Sequence, residues 1–215
     1  MLTLGIDSSC DDTSVALVAD GRRIVAGLVS SQIEIHRRFG GVVPEMASRK
    51  HFEAILPVLS ETLAAGKVSL NQIDQIACTA GPGLLGPLLV GLATAKGLSL
   101  SLKIPLIPVN HLEAHLAAAF LARGEEPAYP FVGLIVSGGH SNLVLANGPR
   151  EFTTLGRTAD DAPGELFDKI ARHLQIGYPG GPAVQKLGET GDPLRYRLPR
   201  PLAGRGYGFS FSGLK

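Results

Sequence analysis

The sequence predicts an α/β protein made of two related lobes, and three observations carry that expectation. Apolar, β-branched runs of strand length alternate with longer stretches at helical spacing. Glycine-rich turns join strand to helix, as in "TAGPGLLG" at 79–86. One unit, an apolar strand, a turn of small hydroxyls and a second apolar strand, occurs twice: "LGIDSSCDDTSVALV" at 4–18 and "LIVSGGHSNLVLA" at 134–146. A repeat spaced by about a domain's length points to two lobes of common design, here 1–124 and 125–215, divided in the polar stretch "GEEPAY". The balance of 45% hydrophobic to 18% charged residues, with 27 glycines, fits buried strands and tight turns and excludes disorder.

Taken in order, Leu2–Asp7, Thr13–Val18 and the run "RRIVAGLVSS" form three strands in meander order. Ala47–Leu63 follows as a helix that stops near Gly66. "IDQIACTA" is a strand, followed by a glycine loop and a small-residue helix to about Leu100. "IPLIPV" is a further strand, and "NHLEAHLAAAF" opens the next helix. This β-β-β-α-β-α-β order predicts a mixed sheet with helices on its faces. The strand–turn–strand pattern then restarts at Phe131, "DDAPGELFDKIARHL" adds a helix, and an arginine-rich loop leads to "GYGFSFSGLK". No closing strands or helices follow, so the second lobe reads as incomplete.

Several function classes are disfavoured. A net charge of +1 carries no global basic field, so nucleic acid would need a local patch. Two cysteines, Cys10 and Cys78, form no C-x-x-C pair and suit a reducing compartment. "MLTLGIDSS" lacks the basic start of a signal peptide. The uncharged run Gln75–Ala95 reaches transmembrane length, but Pro82, Pro87 and four glycines interrupt it, which favours a buried strand, loop and helix.

The chemistry-bearing residues fall in a few short stretches. Asn110 is an N-cap with Glu113 as its capping-box partner, which puts His111 and His115 one turn apart on one face. Two imidazoles so spaced can share a metal ion. Glu113 points roughly 200° away around a helix of ~3.6 residues per turn. In the H-E-x-x-H peptidase motif the glutamate instead adjoins the first histidine, so a zinc-peptidase reading is poor. Two histidines leave a first shell incomplete.

In "GIDSSCDDT", backbone amides and the hydroxyls of Ser8 and Ser9 can hold phosphate, while Asp7 and Asp11 can hold a cation or act as a base. An ordinary polar hairpin is the alternative, and "VSGGHS" in the second copy weighs against it. The glycines of "TAGPGLLG" serve either an anion at a helix N-terminus or close helix–sheet packing. Asp161, Glu165 and Asp168 fall about one turn apart, as a solvated acidic face or a ribose-hydroxyl acceptor. "YPGGP" is a tight turn, or one that lets a flat base approach the backbone. "RYRLPRPLAGRGY" packs four arginines into eleven residues beside Tyr196 and Tyr207, which suits RNA or simply a solubilising loop.

Together, "GIDSSCDDT", "GGVVPEMASRKH", "TAGPGLLGPLLVG", "NHLEAH", "VSGGHS", "DDAPGELFDK", "YPGGP" and "FSFSGLK" resemble the universal tRNA threonylcarbamoyladenosine synthase family in its bacterial form, once called O-sialoglycoprotein endopeptidases. The resemblance runs collinearly from Met1 to Lys215. It departs at "CDDT", where the family more often has Cys-Asp-Glu-Thr, so Asp11 carries over more firmly than Asp12.

The resemblance implies a two-lobed actin-like ATPase fold (the Hsp70, sugar kinase and actin superfamily, with ribonuclease H-like lobes) and a transferase activity. Such enzymes move the threonylcarbamoyl group of threonylcarbamoyl-adenylate, an ATP-derived nucleotide, to N6 of the adenosine beside the anticodon in tRNAs reading codons that begin with A. His111 and His115 match two metal ligands for Fe2+ or Zn2+. Ile135, Val136, Ser137, Gly138, Gly139, Asp168 and Gly181 match adenylate-binding positions, and Asp11 matches an aspartate important for the reaction. The family's third protein ligand lies past Lys215, so the resemblance implies a fragment with an open metal site. Implied partners are tRNA, a paralogous non-catalytic subunit and a small P-loop ATPase, in the cytoplasm and with no membrane. A glycoprotease-type metalloendopeptidase, a non-catalytic scaffold and a sugar or acid kinase are the competing readings.

Overall fold

The computed structural model describes residues 1–123 and 126–215. The chain divides into two compact units, Met1–Glu126 and Pro127–Lys215. The expected boundary between residues 124 and 125 lies outside the described residues.

Unit 1 holds a five-stranded sheet. Strands β1 (Leu2–Asp7), β2 (Asp12–Ala19) and β3 (Arg23–Ser31) form an antiparallel meander. The β2–β3 hairpin turns on Asp20 and Gly21, both at positive φ (53° and 70°), the Asp-Gly pair that a two-residue type I′ turn demands. Strands β4 (Gln75–Gly81) and β5 (Leu106–Asn110) then join parallel to β1, giving the order β3-β2-β1-β4-β5. This is the mixed sheet that the β-β-β-α-β-α-β order predicts.

Helices α1 (Ile33–Arg37), α2 (Pro44–Gly66), α3 (Leu85–Leu102) and α4 (His111–Arg123) complete the unit. Helix α2 begins three residues before the expected Ala47, because Pro44 pre-sets the first helical turn without losing a needed donor. Alternate residues of β1 and β2 point inward, and Leu4, Ile6, Val15 and Leu17 meet Ile55 and Leu59 of α2, Ile76 of β4 and Ala95 of α3 in one buried cluster. Among the described residues, α3 is the one helix long and apolar enough to cross a membrane by length and composition. Its Val90, Leu92, Ala95 and Leu98 pack on the unit 1 core.

Unit 2 restarts the meander. Strands β6 (Phe131–Val136), β7 (Ser141–Gly148) and β8 (Glu151–Arg157) pair antiparallel in the order β6-β7-β8, as β1, β2 and β3 do. Helices α5 (Pro163–Leu174) and α6 (Gly180–Gly188) follow and pack on each other. Helix α6 occupies the stretch read from sequence as a glycine turn. Its first two residues are glycines and Pro179 is its N-cap, so the helix-breaking residues mark its start rather than prevent it. Past α6 the arginine-rich segment is exposed and without regular structure until Phe209 bridges Thr158 in parallel fashion.

Candidate metal and nucleotide sites

The sheet order of unit 1 brings three carboxyl ends together. β1 ends at Asp7, β4 at Gly81 two residues past Thr79, and β5 at Asn110, all parallel and adjacent. Ligands in open α/β sheets bind beyond such strand ends. Helix α4 starts directly at the end of β5, and the Asn110 side chain accepts from the N–H groups of Leu112 (2.9 Å) and Glu113 (3.4 Å). That is the predicted N-cap. The reciprocal half of the capping box is not formed among the described hydrogen bonds. The Asn110 backbone belongs to the β4–β5 ladder opposite Gly81, and Glu113 stays exposed at the surface.

His111 and His115 lie on one face of α4, their rings edge-to-face with centroids 4.5 Å apart. Their Nε2 atoms are 3.1 Å apart. Two imidazole nitrogens ~2.0–2.1 Å from one ion, at angles between square and tetrahedral, lie roughly 2.8–3.4 Å apart. The pair therefore fits two adjacent ligands of a divalent ion. Desolvation, then the neighbouring His111, lower the His115 pKa, which favours the neutral form that a ligand must have. No third His, Cys, Asp or Glu converges on a metal position among the described residues.

Asp7, read from sequence as a cation ligand or base, is committed elsewhere. Its Oδ2 lies 3.0 Å from His111 Nδ1 and accepts from the Thr79 hydroxyl at 2.8 Å, while Oδ1 accepts from the Ser9 N–H at 2.7 Å. Burial pushes the Asp7 pKa up, but the hydrogen bonds from His111, Ser9 and Thr79 outweigh it and hold the carboxyl well below the usual range. Ser9 Oγ sits 3.1 Å from the same His111 Nδ1. A serine nucleophile needs its histidine's other nitrogen on the aspartate; with serine and aspartate on one nitrogen, this trio is no hydrolase triad.

Two of the three glycines of "TAGPGLLG" resolve in favour of packing, Gly83 against Ser9 and Gly86 against the Ser48 hydroxyl, while a Cβ on Gly81 would meet nothing within 4 Å. A Cβ on Gly83 would lie 2.6 Å from the Ser9 carbonyl oxygen, and one on Gly91 would collide with the Ser8 hydroxyl. The Leu84 N–H at the start of α3 donates to the Ser9 carbonyl at 2.8 Å. Helix α3 thus clamps the 7–11 turn. His51, fully buried, fixes it from the other side through the Thr13 hydroxyl (2.8 Å) and the Cys10 carbonyl (3.1 Å). Cys78 is buried, and that burial, followed by the Asp7 charge, pushes its thiol up to about 12, so it offers no thiolate. Asp11 lies at the half-buried rim of the turn, and its backbone carbonyl accepts from the Gln32 N–H at 3.1 Å.

In unit 2 the corresponding turn, Ser137–His140, is closed by the Ser137 N–H on the His140 carbonyl (2.9 Å) and the His140 N–H on Ser137 Oγ (3.1 Å). The first-turn amides of α5 bond to it, Gly164 to the Ser137 carbonyl (3.4 Å) and Glu165 to that of Gly138 (3.1 Å). A Cβ on Gly164 would lie 2.6 Å from Gly138 Cα, which explains glycine at that contact, whereas Gly138 and Gly139 face open space. Ile135 is buried at 5% exposure and serves the core, while Val136 is exposed at 54%.

Asp168, one turn into α5, accepts from the Gly180 N–H at 2.6 Å and so caps α6. A Cβ on Gly180 would collide with the Phe167 carbonyl, but one on Gly181 meets nothing closer than 4.0 Å. The predicted acidic face is therefore split. Asp161 precedes α5 and is buried against Lys169 (2.9 Å) and Lys215 (2.6 Å), Glu165 pairs with Lys169 (2.7 Å), and Asp168 faces α6.

With these sites placed, comparison with known proteins is decisive. A family model described as "TsaD: tRNA N6-adenosine threonylcarbamoyltransferase" matches residues 23–215. The chain belongs to this family. It is 54% identical over 214 residues to the tRNA N6-adenosine threonylcarbamoyltransferase of Symbiobacterium thermophilum, covering 100% of this chain and 62% of that protein. It is 52% identical over 220 residues to the protein of that name from Thermomicrobium roseum, covering 100% of this chain and 60% of the relative. The chain thus spans about three fifths of the curated relatives it matches. YeaZ from Pseudomonas aeruginosa resembles it at 23% identity and a TM-score of 0.48, over 76% of this chain and 68% of that one.

Proposed function

We propose that the protein transfers the threonylcarbamoyl group of threonylcarbamoyl-adenylate to N6 of the adenosine beside the anticodon in tRNAs reading codons that begin with A. The observation that carries this reading is the pair of imidazole nitrogens 3.1 Å apart at the end of a parallel strand, in a chain of this family. His111 and His115 hold a divalent ion, Fe2+ or Zn2+, either of which imidazole ligation suits. An ion there supplies Lewis-acid neutralisation of phosphate charge.

The chain's own residues do the remaining work. The Ser137–His140 turn offers the backbone of Gly138 and Gly139 to phosphate, with open space beside both glycines to leave room for it. Asp168 and Gly181 sit where α5 meets the start of α6 and receive the ribose and base. The adenosine N6 amine attacks the carbamoyl carbon, the carbon–oxygen bond to phosphate breaks, and AMP departs with the electron pair. The amine sheds a proton during attack, and Asp11, at the rim of the β1–β2 turn, takes it or orients a water that does. Four arginines at 195–205 supply phosphate contacts to the tRNA. A paralogous non-catalytic subunit and a small P-loop ATPase act beside the protein in the cytoplasm. Glu113, exposed at the surface and two positions from each histidine, does not stand where the H-E-x-x-H base of a metalloendopeptidase would, which weighs against that alternative.

The test supplies the full-length protein and its partners with threonylcarbamoyl-adenylate and an A-codon-reading tRNA, and measures the modified nucleoside by mass spectrometry. Formation of N6-threonylcarbamoyladenosine that disappears on Asp11→Asn, with adenylate binding intact, supports the proposal. Cleavage of a glycoprotein substrate without tRNA modification would replace it with the peptidase reading.

A further inference from the structure

The Asp7 carboxylate is the most heavily bonded acid near the histidine pair, and none of the proposed roles uses it. It stands at the end of β1, and the neighbouring β4 supplies Thr79 to hold Oδ2 while its own turn supplies the Ser9 N–H to hold Oδ1. Both oxygens are thereby fixed in position, and Oδ2 lies 3.0 Å from His111 Nδ1. An ionised carboxylate only accepts hydrogen bonds, so the proton of a neutral His111 sits on Nδ1. Nε2 is then the nitrogen that carries the lone pair, and it is the atom 3.1 Å from His115 Nε2. The aspartate acts on one ring nitrogen while the other is turned toward the second histidine.

We propose that Asp7 is a positioning residue of the metal centre: through Nδ1 it locks His111 in the tautomer and ring orientation that present Nε2 to the ion. The proposal rests on the reading of His111 and His115 as metal ligands. Carboxylates hydrogen-bonded to ligating histidines fix ring orientation and raise ligand basicity, and their removal typically costs 10–100-fold in metal affinity. Thr79 acts a step further out. Its buried hydroxyl holds Oδ2 on the side facing His111, and it comes from the parallel strand that separates β1 from β5.

Two measurements test this. In the metal-free protein, above the pH at which imidazole protonates, nitrogen NMR of the histidine rings reports which nitrogen of His111 carries the proton. The expected result is a single Nδ1–H tautomer in the parent and a mixture in Asp7→Ala. Titration with Co2+, followed by its visible absorption, gives affinity. Asp7→Asn is expected to bind about 10–100-fold more weakly, Asp7→Glu to recover part of that loss, and Thr79→Val to lose less than Asp7→Asn. Circular dichroism and thermal unfolding confirm that each variant is folded.

An Nε2–H tautomer in the parent would overturn the proposal, and this measurement needs no variant. So would Asp7→Asn binding Co2+ within twofold of the parent while His111→Ala and His115→Ala abolish binding. Co2+ uptake unaffected by losing either histidine would instead overturn the metal reading itself, and this proposal with it.

Discussion

The two units begin with the same three-stranded meander and support their turns differently. In unit 1 two parallel strands extend the meander to five, and Leu4, Leu17 and Ile76 are fully buried beneath the site. In unit 2, among the described residues, the meander stays three strands wide, and Val132, Leu134 and Val136 on one face of β6 are 59%, 60% and 54% exposed. Both turns are clamped by helix amides, Leu84 on the Ser9 carbonyl in unit 1 and Gly164 and Glu165 on the Ser137 and Gly138 carbonyls in unit 2. Unit 1 adds the side-chain bonds of His51 and Thr79. The metal centre proposed on His111 and His115 would need side chains held to a fraction of an ångström, which the buried core of unit 1 suits. A turn that offers amides to a phosphate needs its backbone fixed and little else.

The sharpest way to break this comparison is in the cores. Leu4→Ala or Ile76→Ala removes a fully buried side chain from unit 1 and should cost about 2–5 kcal/mol of unfolding free energy. Val132→Thr, on the open face of β6, should stay within about 0.5 kcal/mol. Denaturant unfolding followed by hydrogen exchange separates the two units, and equal losses would mean that the Val132 face of β6 is covered rather than open.

Glycine contacts give the next largest effect. Gly83→Ala in unit 1 and Gly164→Ala in unit 2 each force backbone apart at about the same close approach and should cost about 1–3 kcal/mol. Gly181→Ala meets open space, so it should leave the melting temperature unchanged while weakening adenylate binding. A stability loss there would remove Gly181 from the ligand-facing set.

Acid has a smaller and more local effect. The Asp160 side chain accepts from the Ser210 hydroxyl (2.6 Å) and from the N–H groups of Phe211 (2.8 Å) and Ser212 (3.2 Å), pinning the end of the arginine segment. Those bonds, the Ser210 hydroxyl foremost, lower its pKa from 3.8 to about 2. A depressed carboxyl contributes stability above its unfolded value and loses it as pH falls through the folded one. Limited proteolysis at Phe209–Ser212 should therefore rise between about pH 4 and pH 2, and Asp160→Asn should abolish that dependence. Smallest of all, each arginine among 195, 197, 200 and 205 changed to alanine should reduce the salt slope of tRNA binding by about 1, with no change in unfolding, since the segment is exposed.

Much of this was legible in the sequence. The meander, its repeat and the α4 N-cap follow from period-2 patterning and from Asn110 standing at the end of an apolar run. The histidine pair followed from helical spacing alone. What spacing could not convey was the lateral order of the strands. Thr79 and Asp7 are 72 residues apart, and they meet because β4 inserts beside β1. The sequence allows Asp7 to hold a cation or act as a base, and only the sheet order reveals that its carboxylate meets His111. The acidic face of 161–168 failed for a related reason. Helical spacing was assumed back to Asp161, but Pro163 starts the helix and leaves that aspartate to turn inward toward Lys169 and Lys215.

The central claim is that His111 and His115 ligate one ion through their Nε2 atoms. X-ray absorption at the metal edge of Co2+-loaded protein tests it most directly. Two imidazole nitrogens at about 2.0–2.1 Å, reduced to one in His115→Ala, are the predicted result. A spectrum of oxygen ligands alone, unchanged in that variant, would contradict it.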